Sequence, residues 1–516
     1  MPLEVKEELN DWYKIKRYPH IGLPSNNHSM TISYIKNQEK IAVHSFTPFI
    51  HKVISTRRYR KEYDSDGKVK DNGKRVNKGA KNRSIHYANN LDSNIYSYYS
   101  YLLHEKYEII LEEKGLNNVV TAYRKTPTDV KQKNLTKKNN IHFADEVFNY
   151  IKTHAINNEL VAITFDIENF FPSLDHNILK NRWCEVIGER ILPKDHYNVF
   201  RNITKFSYVE EQHLFNLFKN KILVRKNDGK TVFKPVKRID HLYNKNAIGY
   251  CSMKDIHTIR KRGLIRSNKH TAPKNDPKSD IRVSGICQGS AISATLANIY
   301  MLGFDELIHR EVSNINGIYR RYSDDMVVVC PIEYKADIIE LFEEKVEDIK
   351  LTIHKDKTQV FHFNYINDRL ICEQEFNGVL TQYSINRNFE YLGFSFDGEN
   401  VYLKTSSLAK YYRKMKKGVH RSEFYSSTIN NSTKGEMFKR RLYKRYSYIG
   451  STRCIKYKRI QGTTNQWQPD KHAINWGNYI TYAKNAHKIM SDYSKIDSQI
   501  KNHWKNLNQE INRSKP

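Results

Sequence analysis

The sequence is short of the features that mark several common classes. Its 516 residues include six cysteines, Cys184, Cys251, Cys287, Cys330, Cys372 and Cys454. None forms a Cys-x-x-Cys pair and none sits near a histidine at zinc-finger spacing, so reduced thiols are expected rather than a disulfide or zinc framework. No stretch approaches the ~18–20 uninterrupted apolar residues of a membrane span. The opening residues, Met1-Pro2-Leu3-Glu4-Val5-Lys6, lack the basic-then-apolar layout of a secretory leader. A cytoplasmic protein without membrane partners is expected. Asp228-Gly229-Lys230-Thr231 resembles the end of a phosphate-binding loop, but Val224 stands where its first glycine belongs. There is no glycine-rich dinucleotide fingerprint, no His-Glu-x-x-His, no internal repeat and no low-complexity tract.

What is present in excess is positive charge. Lys+Arg number 86 against 56 Asp+Glu, a formal charge of +30. Such a balance points to a polyanionic partner, nucleic acid before membrane. The charge is concentrated. Residues 221–284 hold 17 Lys/Arg against 5 Asp, and residues 404–516 hold 25 against 6 acids. The rest of the chain is close to neutral. Both basic segments interleave aromatics with cations, as in Tyr411-Tyr412-Arg413-Lys414 and Tyr443-Lys444-Arg445-Tyr446. Cations suit phosphates and rings suit bases. Overall, 39% hydrophobic and 28% charged residues fit a soluble globular protein. The length suggests two to four folding units.

Along the chain, residues 1–50 show little periodicity and read as an N-terminal extension. Residues 57–83 read as a basic loop or hairpin with turns at Asp66-Gly67 and Asn72-Gly73. Helical spacing runs from Ile95 to Gly115 and over 141–157. Leu160 to Phe165 is an apolar run of strand length ending at Asp166. Residues 175–223 read as mainly helical, and 225–283 as loops or an inserted subdomain. A long helix is expected over 290–311, a hairpin over Ile318–Cys330, an acidic amphipathic helix over 334–350, and two short strands around Asp397-Gly398. The segment from 405 reads as mainly helical, with a loop at 461–470.

The informative chemistry lies in two carboxylate sites, Phe165-Asp166-Ile167-Glu168-Asn169-Phe170-Phe171 and Tyr322-Ser323-Asp324-Asp325. Each places an aspartate at a strand end, where neighbouring strands can bring distant carboxylates together. Such a cluster needs a cation to offset like-charge repulsion. Hard oxygen ligands suit Mg²⁺. Two such ions can serve an in-line phosphoryl displacement.

In order and content these segments resemble motifs A and C of reverse transcriptases, the second matching the Tyr-x-Asp-Asp signature. Gly285-Ile286-Cys287-Gln288-Gly289-Ser290-Ala291-Ile292-Ser293 resembles motif B. Leu351 to Thr358 resembles motif D, and Phe389-Glu390-Tyr391-Leu392-Gly393-Phe394 resembles motif E. Lys81-Asn82-Arg83-Ser84-Ile85 and Val120-Thr121-Ala122-Tyr123-Arg124 resemble fingers segments. The resemblance covers roughly residues 57–400.

It implies an α+β, right-hand polymerase with fingers, palm and thumb and an antiparallel palm sheet. The implied units are fingers and palm over 51–403, with a basic insertion at 221–284, and a basic helical thumb or C-terminal domain over 404–516. The implied activity is RNA-directed DNA synthesis. Asp166, Asp324, Asp325 and the backbone carbonyl of Ile167 would hold two Mg²⁺ ions, with Mn²⁺ as a substitute. Lys81 and Arg83 would contact the incoming triphosphate. Phe170 and Phe171 would lie at the nucleotide, and Gln288 and Gly289 would pack against the nascent base pair. Lys357 would give a proton to the leaving pyrophosphate. Tyr391, Leu392 and Gly393 would form the primer grip. Phe171, five residues after Asp166, would exclude a 2′-hydroxyl.

The sequence also departs from the family pattern. Ala291 and Ala294 stand where intron and retron enzymes usually carry prolines, and no His-Asn-His endonuclease module follows. The long interval from Asp166 to Gly285 and the basic, tyrosine-rich tail resemble bacterial enzymes of phage-defence systems, the abortive-infection and unknown groups. Such members imply an RNA template or noncoding RNA, dNTPs and a DNA product. They also raise a partner protein, homo-oligomers and priming from a protein hydroxyl. Three other readings stand beside this one: an intron- or retron-type enzyme, an RNA-copying RNA polymerase, and a nucleic-acid-binding protein without catalysis.

Overall fold

A computed structural model describes residues 11–16, 18–128, 137–226, 229–271, 280–385, 387–428, 435–452, 454–459, 466–475 and 477–514. Parts of both basic segments, including Asp228, lie outside these residues.

A five-stranded sheet forms the centre. Its order is Ile318–Tyr322, Asp325–Pro331, Leu160–Asp166, Gln359–Ile366 and Arg369–Gln374. Every neighbouring pair is antiparallel. The central strand is apolar throughout because both of its faces are buried. Val161, Ile163 and Phe165 join the core beneath the long helix Asn90–Glu113. Leu160 and Ala162 join a second core with Phe148, Phe389, Phe396, Tyr411 and Ile480. Helix ends follow side-chain capping. Asn89 accepts from the Asp92 amide at 2.8 Å, and Asp175 accepts from Asn177 and Ile178 at 2.9 and 3.0 Å.

The basic segment expected as a loop or hairpin is two 13-residue strands, Phe49–Lys61 and Arg75–Tyr87. They pair antiparallel, with His51 opposite His86 and Val53 opposite Ser84. Ser207–Glu210 and Arg266–Ser267 extend this sheet. The tip of the hairpin reaches the loop before Phe389. Arg387 donates to the Gly67 carbonyl at 2.6 Å, and Thr381 Oγ1 donates to the Asp66 carbonyl at 2.6 Å.

Several local expectations change in three dimensions. Residues 225–283 are not merely loops. Ile222–Arg225, Thr231–Lys234 and Ala247–Cys251 form a sheet with His20–Ile21 from the N-terminal segment. Ile21, Ile50, Val209, Ile222 and Tyr250 share one core, which builds both segments into the hairpin base. The helix expected over 290–311 is two helices, Ser293–Tyr300 and Leu302–Asn314. The stretch after Phe389 holds three strands rather than two: Phe389–Tyr391, Phe394–Phe396 and Val401–Leu403. The C-terminal region carries helices Thr405–Thr428, Lys439–Tyr446, Tyr479–Ile489 and His503–Arg513. It also carries an antiparallel hairpin, Cys454–Arg459 with Trp467–Asn475, where mainly helix with a loop at 461–470 is expected; residues 461–465 of that loop lie outside the described residues. No described helix is long and apolar enough to cross a membrane.

Candidate active site

The sheet register builds the site. Asp166 ends the central strand directly opposite Asp325, which begins the next one. Tyr322 pairs with Asp325, so Ser323 and Asp324 form the two-residue turn between their strands. Ser323 has φ 63°, a left-handed conformation that non-glycine residues seldom adopt. Three carboxylates separated in sequence thus meet at one end of the sheet. Surrounding protein, then the charges of Asp324 and Asp166, push the Asp325 carboxyl up to about 6. Lys357 Nζ forms an ion pair with Asp166 Oδ1. Ile167 bridges Ile353, which fixes the chain just beyond Asp166.

A cavity of about 930 Å³ opens in front of this edge. Asp166, Ile167, Phe170, Phe171, Gln288, Asp324 and Lys357 line it from below, and Lys81 and Arg83 line it from the hairpin. Gly289 lies beside it. A Cβ there would stand 2.8 Å from the His86 carbonyl oxygen and from Ile85 Cγ2, so glycine permits the observed approach to the hairpin. The adjacent Gln288 carbonyl accepts from the His86 amide at 2.8 Å. Tyr391, Leu392 and Gly393 are not among the lining residues. Leu392 and Gly393, both at positive φ, make the two-residue turn between Tyr391 and Phe394.

Among the described residues, no three His, Cys, Asp or Glu side chains stand arranged to enclose a metal ion. The aspartates nevertheless suit Mg²⁺, which takes one or two carboxylates plus substrate phosphates rather than a closed protein cage. The raised Asp325 carboxyl and the cation placed on Asp166 both mark a site short of positive charge.

Two contributions were not anticipated from sequence. Asn268 and Arg282, from the basic insertion, line the same cavity. Beneath the turn that carries Asp324, wholly buried Arg321 makes a two-pronged ion pair with Asp305. Nε lies 2.7 Å from Oδ1, and Nη2 lies 2.6 Å from Oδ2. Arg321 Nη1 also donates to Asn298 Oδ1 and to the Ser323 carbonyl, both at 3.2 Å. Strand alternation was the available signal, since it puts Arg321 on the buried face with Tyr319.

The antiparallel palm, the strand-end aspartates and the overarching hairpin define a right-hand polymerase fold. Residues 185–396 match the family model described as reverse transcriptase (RNA-dependent DNA polymerase), and to that extent the chain is similar to that family. The match begins after Asp166 and takes in the segments resembling motifs B to E. No curated protein matches the sequence. Among solved structures, apo telomerase from Candida tropicalis is 11% identical, with a TM-score of 0.38, over 94% of this chain and 64% of that one. Telomerase from Candida albicans in complex with a TWJ fragment of telomeric RNA is 11% identical, with a TM-score of 0.34 and the same coverages. This chain spans less than two-thirds of the length of either. Similarity at that level carries no inference about substrate.

Proposed function

We propose that this protein is an RNA-directed DNA polymerase that adds deoxynucleotides to a hydroxyl primer with two divalent cations, and that it serves in bacterial antiviral defence. The observation that carries the first part is the register that sets Asp166 against Asp325, with Asp324 in the adjoining turn, so that Asp166 and Asp324 line a nucleotide-sized cavity. Asp166, Asp324, Asp325 and the Ile167 carbonyl would hold the cations, with Mg²⁺ first and Mn²⁺ as a substitute. When bound, these ions would neutralise the carboxylates and anchor the nucleotide phosphates.

The chain's own residues do the remainder. Arg83 and Lys81 offset the triphosphate charge from above. Phe171 closes the space a 2′-hydroxyl would need, and Phe170, wedged in the core at 4% exposure, fixes its neighbour's position. Gln288 and Gly289 present backbone to the nascent pair. Lys357 supplies a proton to the departing pyrophosphate. The turn at Tyr391, Leu392 and Gly393 holds the primer end. RNA as template or guide, dNTPs and a DNA product are the partners of this reading. The basic insertion and C-terminal region supply the phosphate contacts. The defence assignment rests on Ala291 and Ala294 in place of prolines and on the long basic tail, and leaves room for a protein partner or self-association.

The test is incorporation of dNTPs on defined RNA templates by wild type and by the Asp324→Ala/Asp325→Ala variant. Incorporation by the wild type alone is expected. Equal incorporation by both would sink the polymerase assignment. Phage challenge of cells carrying each form tests the defence role, and equal plaque counts would remove it.

A further inference from the structure

The fingers hairpin carries a hydrogen-bonded Ser–His–Glu series that the polymerase reading does not use. His51 Nε2 lies 2.7 Å from Ser84 Oγ, and His51 Nδ1 lies 2.8 Å from Glu210 Oε2. The sheet brings the three together. His51 stands opposite His86, two residues along from Ser84 on the same face, and pairs in parallel with Glu210 on the neighbouring strand. The carboxylate favours the tautomer with hydrogen on Nδ1, leaving Nε2 to accept from the serine. A nucleophile bonded to a base that a third group orients is the arrangement that activates a serine.

Location separates this series from a packing device. A second series, Tyr34–His44–Asp92, has similar bonds of 2.8 and 2.9 Å, but its Asp92 is buried and it lines no described cavity. Ser84 is exposed, and His51 and Ser84 both line the 930 Å³ cavity with Arg83, Lys81 and Arg282. The other groups around His51 are the His86 ring, stacked at 4.7 Å, and Tyr208 at 5.6 Å. Arg266 Nη1 lies 3.5 Å from Glu210 Oε1. Burial, and after it the neighbouring His51, push His86 down to about 3.

We infer that Ser84 is an activated nucleophile that accepts a phosphoryl group from a nucleoside triphosphate in this cavity. The donor class rests on the polymerase reading. Ser84 lines the cavity together with Lys81 and Arg83, the residues assigned to the triphosphate tail, while the α-phosphate belongs at the aspartates. The γ-phosphate is therefore the group within the serine's domain. Ser84 Oγ forms a bond to the γ-phosphorus, and the bond from that phosphorus to the bridging oxygen breaks. The nucleoside diphosphate leaves with the electron pair. The Oγ proton passes to His51 Nε2, and Glu210 stabilises the imidazolium.

The experiment uses the full chain and two probes. A fluorophosphonate reports nucleophile activation without reference to nucleotides: Oγ bonds to phosphorus, fluoride leaves and the proton goes to His51. Labelling at Ser84 is expected, read by peptide mass spectrometry. It should be absent in Ser84→Ala and slowed about 10²-fold or more in His51→Gln and Glu210→Gln, the usual worth of a general base. Incubation with Mg²⁺ and dATP should then transfer γ-³²P, and not α-³²P, to Ser84. No labelling by either probe, or equal rates in His51→Gln and wild type, would overturn the inference. Label from the α-position would overturn the γ-phosphate assignment. Primer extension is followed on the same preparations. Extension with an inert Ser84 removes this inference alone, whereas a reactive Ser84 without extension removes the polymerase reading and keeps the nucleophile.

Discussion

Arg321 offers the sharpest test of how the fold holds the turn that carries Asp324. Its guanidinium is wholly buried and paired with the equally buried Asp305, and it also donates to the carbonyl of Ser323. In Asp305→Asn the charge of Arg321 remains in the interior without its counter-ion. Breaking a buried pair from one side costs about 3–5 kcal/mol. Denaturant unfolding should register that loss as a lower midpoint with an unchanged slope. The double variant Arg321→Met/Asp305→Leu removes both charges and fills similar volume, and such replacements are often neutral. It should regain most of the stability, less about 1–3 kcal/mol for the Ser323 carbonyl left unpaired. Activity should not follow stability. Without Arg321 the strained turn carrying Asp324 loses its anchor, and misplacement on the order of 1 Å can cost about 10²-fold in rate. Primer extension by the double variant should therefore stay at least about 10-fold down. Recovery of both stability and extension would refute the positioning argument. A loss under about 1 kcal/mol in Asp305→Asn would refute the burial argument.

Phe171→Ala should raise ribonucleotide incorporation relative to deoxynucleotide incorporation, measured as the ratio of kcat/KM values; an unchanged ratio counts against a steric role. Deleting 404–516 would strip Tyr411 and Ile480 from the core they share with the palm, so charge removal is the cleaner probe. Replacing exposed Lys410, Arg413, Lys414 and Lys417 with Gln should reduce the salt slope of RNA binding by up to roughly 3, at about 0.7–0.9 per lost phosphate contact. An unchanged slope would move the interface elsewhere. Buried His20 donates from Nε2 to the Tyr87 carbonyl at 3.0 Å and accepts the Ile21 amide at Nδ1, 2.8 Å away. Burial lowers it to about 4 from its ordinary 6.5. The unfolded chain takes up the proton first, so this stabilisation is present above pH 6.5 and is lost as pH falls toward 4, about 3 kcal/mol in all. Melting curves of wild type should fall more steeply than those of His20→Gln across that window; parallel curves would contradict the neutral, buried assignment.

Much of the palm was legible in the sequence because its signals are local. The run from Leu160 to Phe165 ends at an aspartate, and the hairpin around Ser323 and Asp324 is bounded by apolar strands. The helix to Gly115 carries its own stop. The same local reading failed where burial is decided by distant partners. Residues 57–83 read as a loop or hairpin with no choice between the two; the structure has the hairpin, with strands that begin at Phe49 and end at Tyr87. Its backbone hydrogen bonds are satisfied across the hairpin, while most side chains of Arg75–Ser84 stay in solvent. Residues 225–283 read as loops or an inserted subdomain, and Ile222 as the end of a helical stretch, because apolar positions such as Ile222 and Tyr250 find their core only with Ile21, Ile50 and Val209.

The sequence by itself determined the chemical inventory. It set three aspartates at strand ends, an aromatic five residues after the first, and cations gathered in two segments. Tertiary structure alone decided which of these meet. It placed Asp166 against Asp325, seated Arg321 on Asp305 beneath the turn, and brought Ser84, His51 and Glu210 into one series over the cavity. Those relations depend on register between strands far apart in the chain. A one-residue slip would turn each side chain to the opposite face, and no local pattern encodes that alignment.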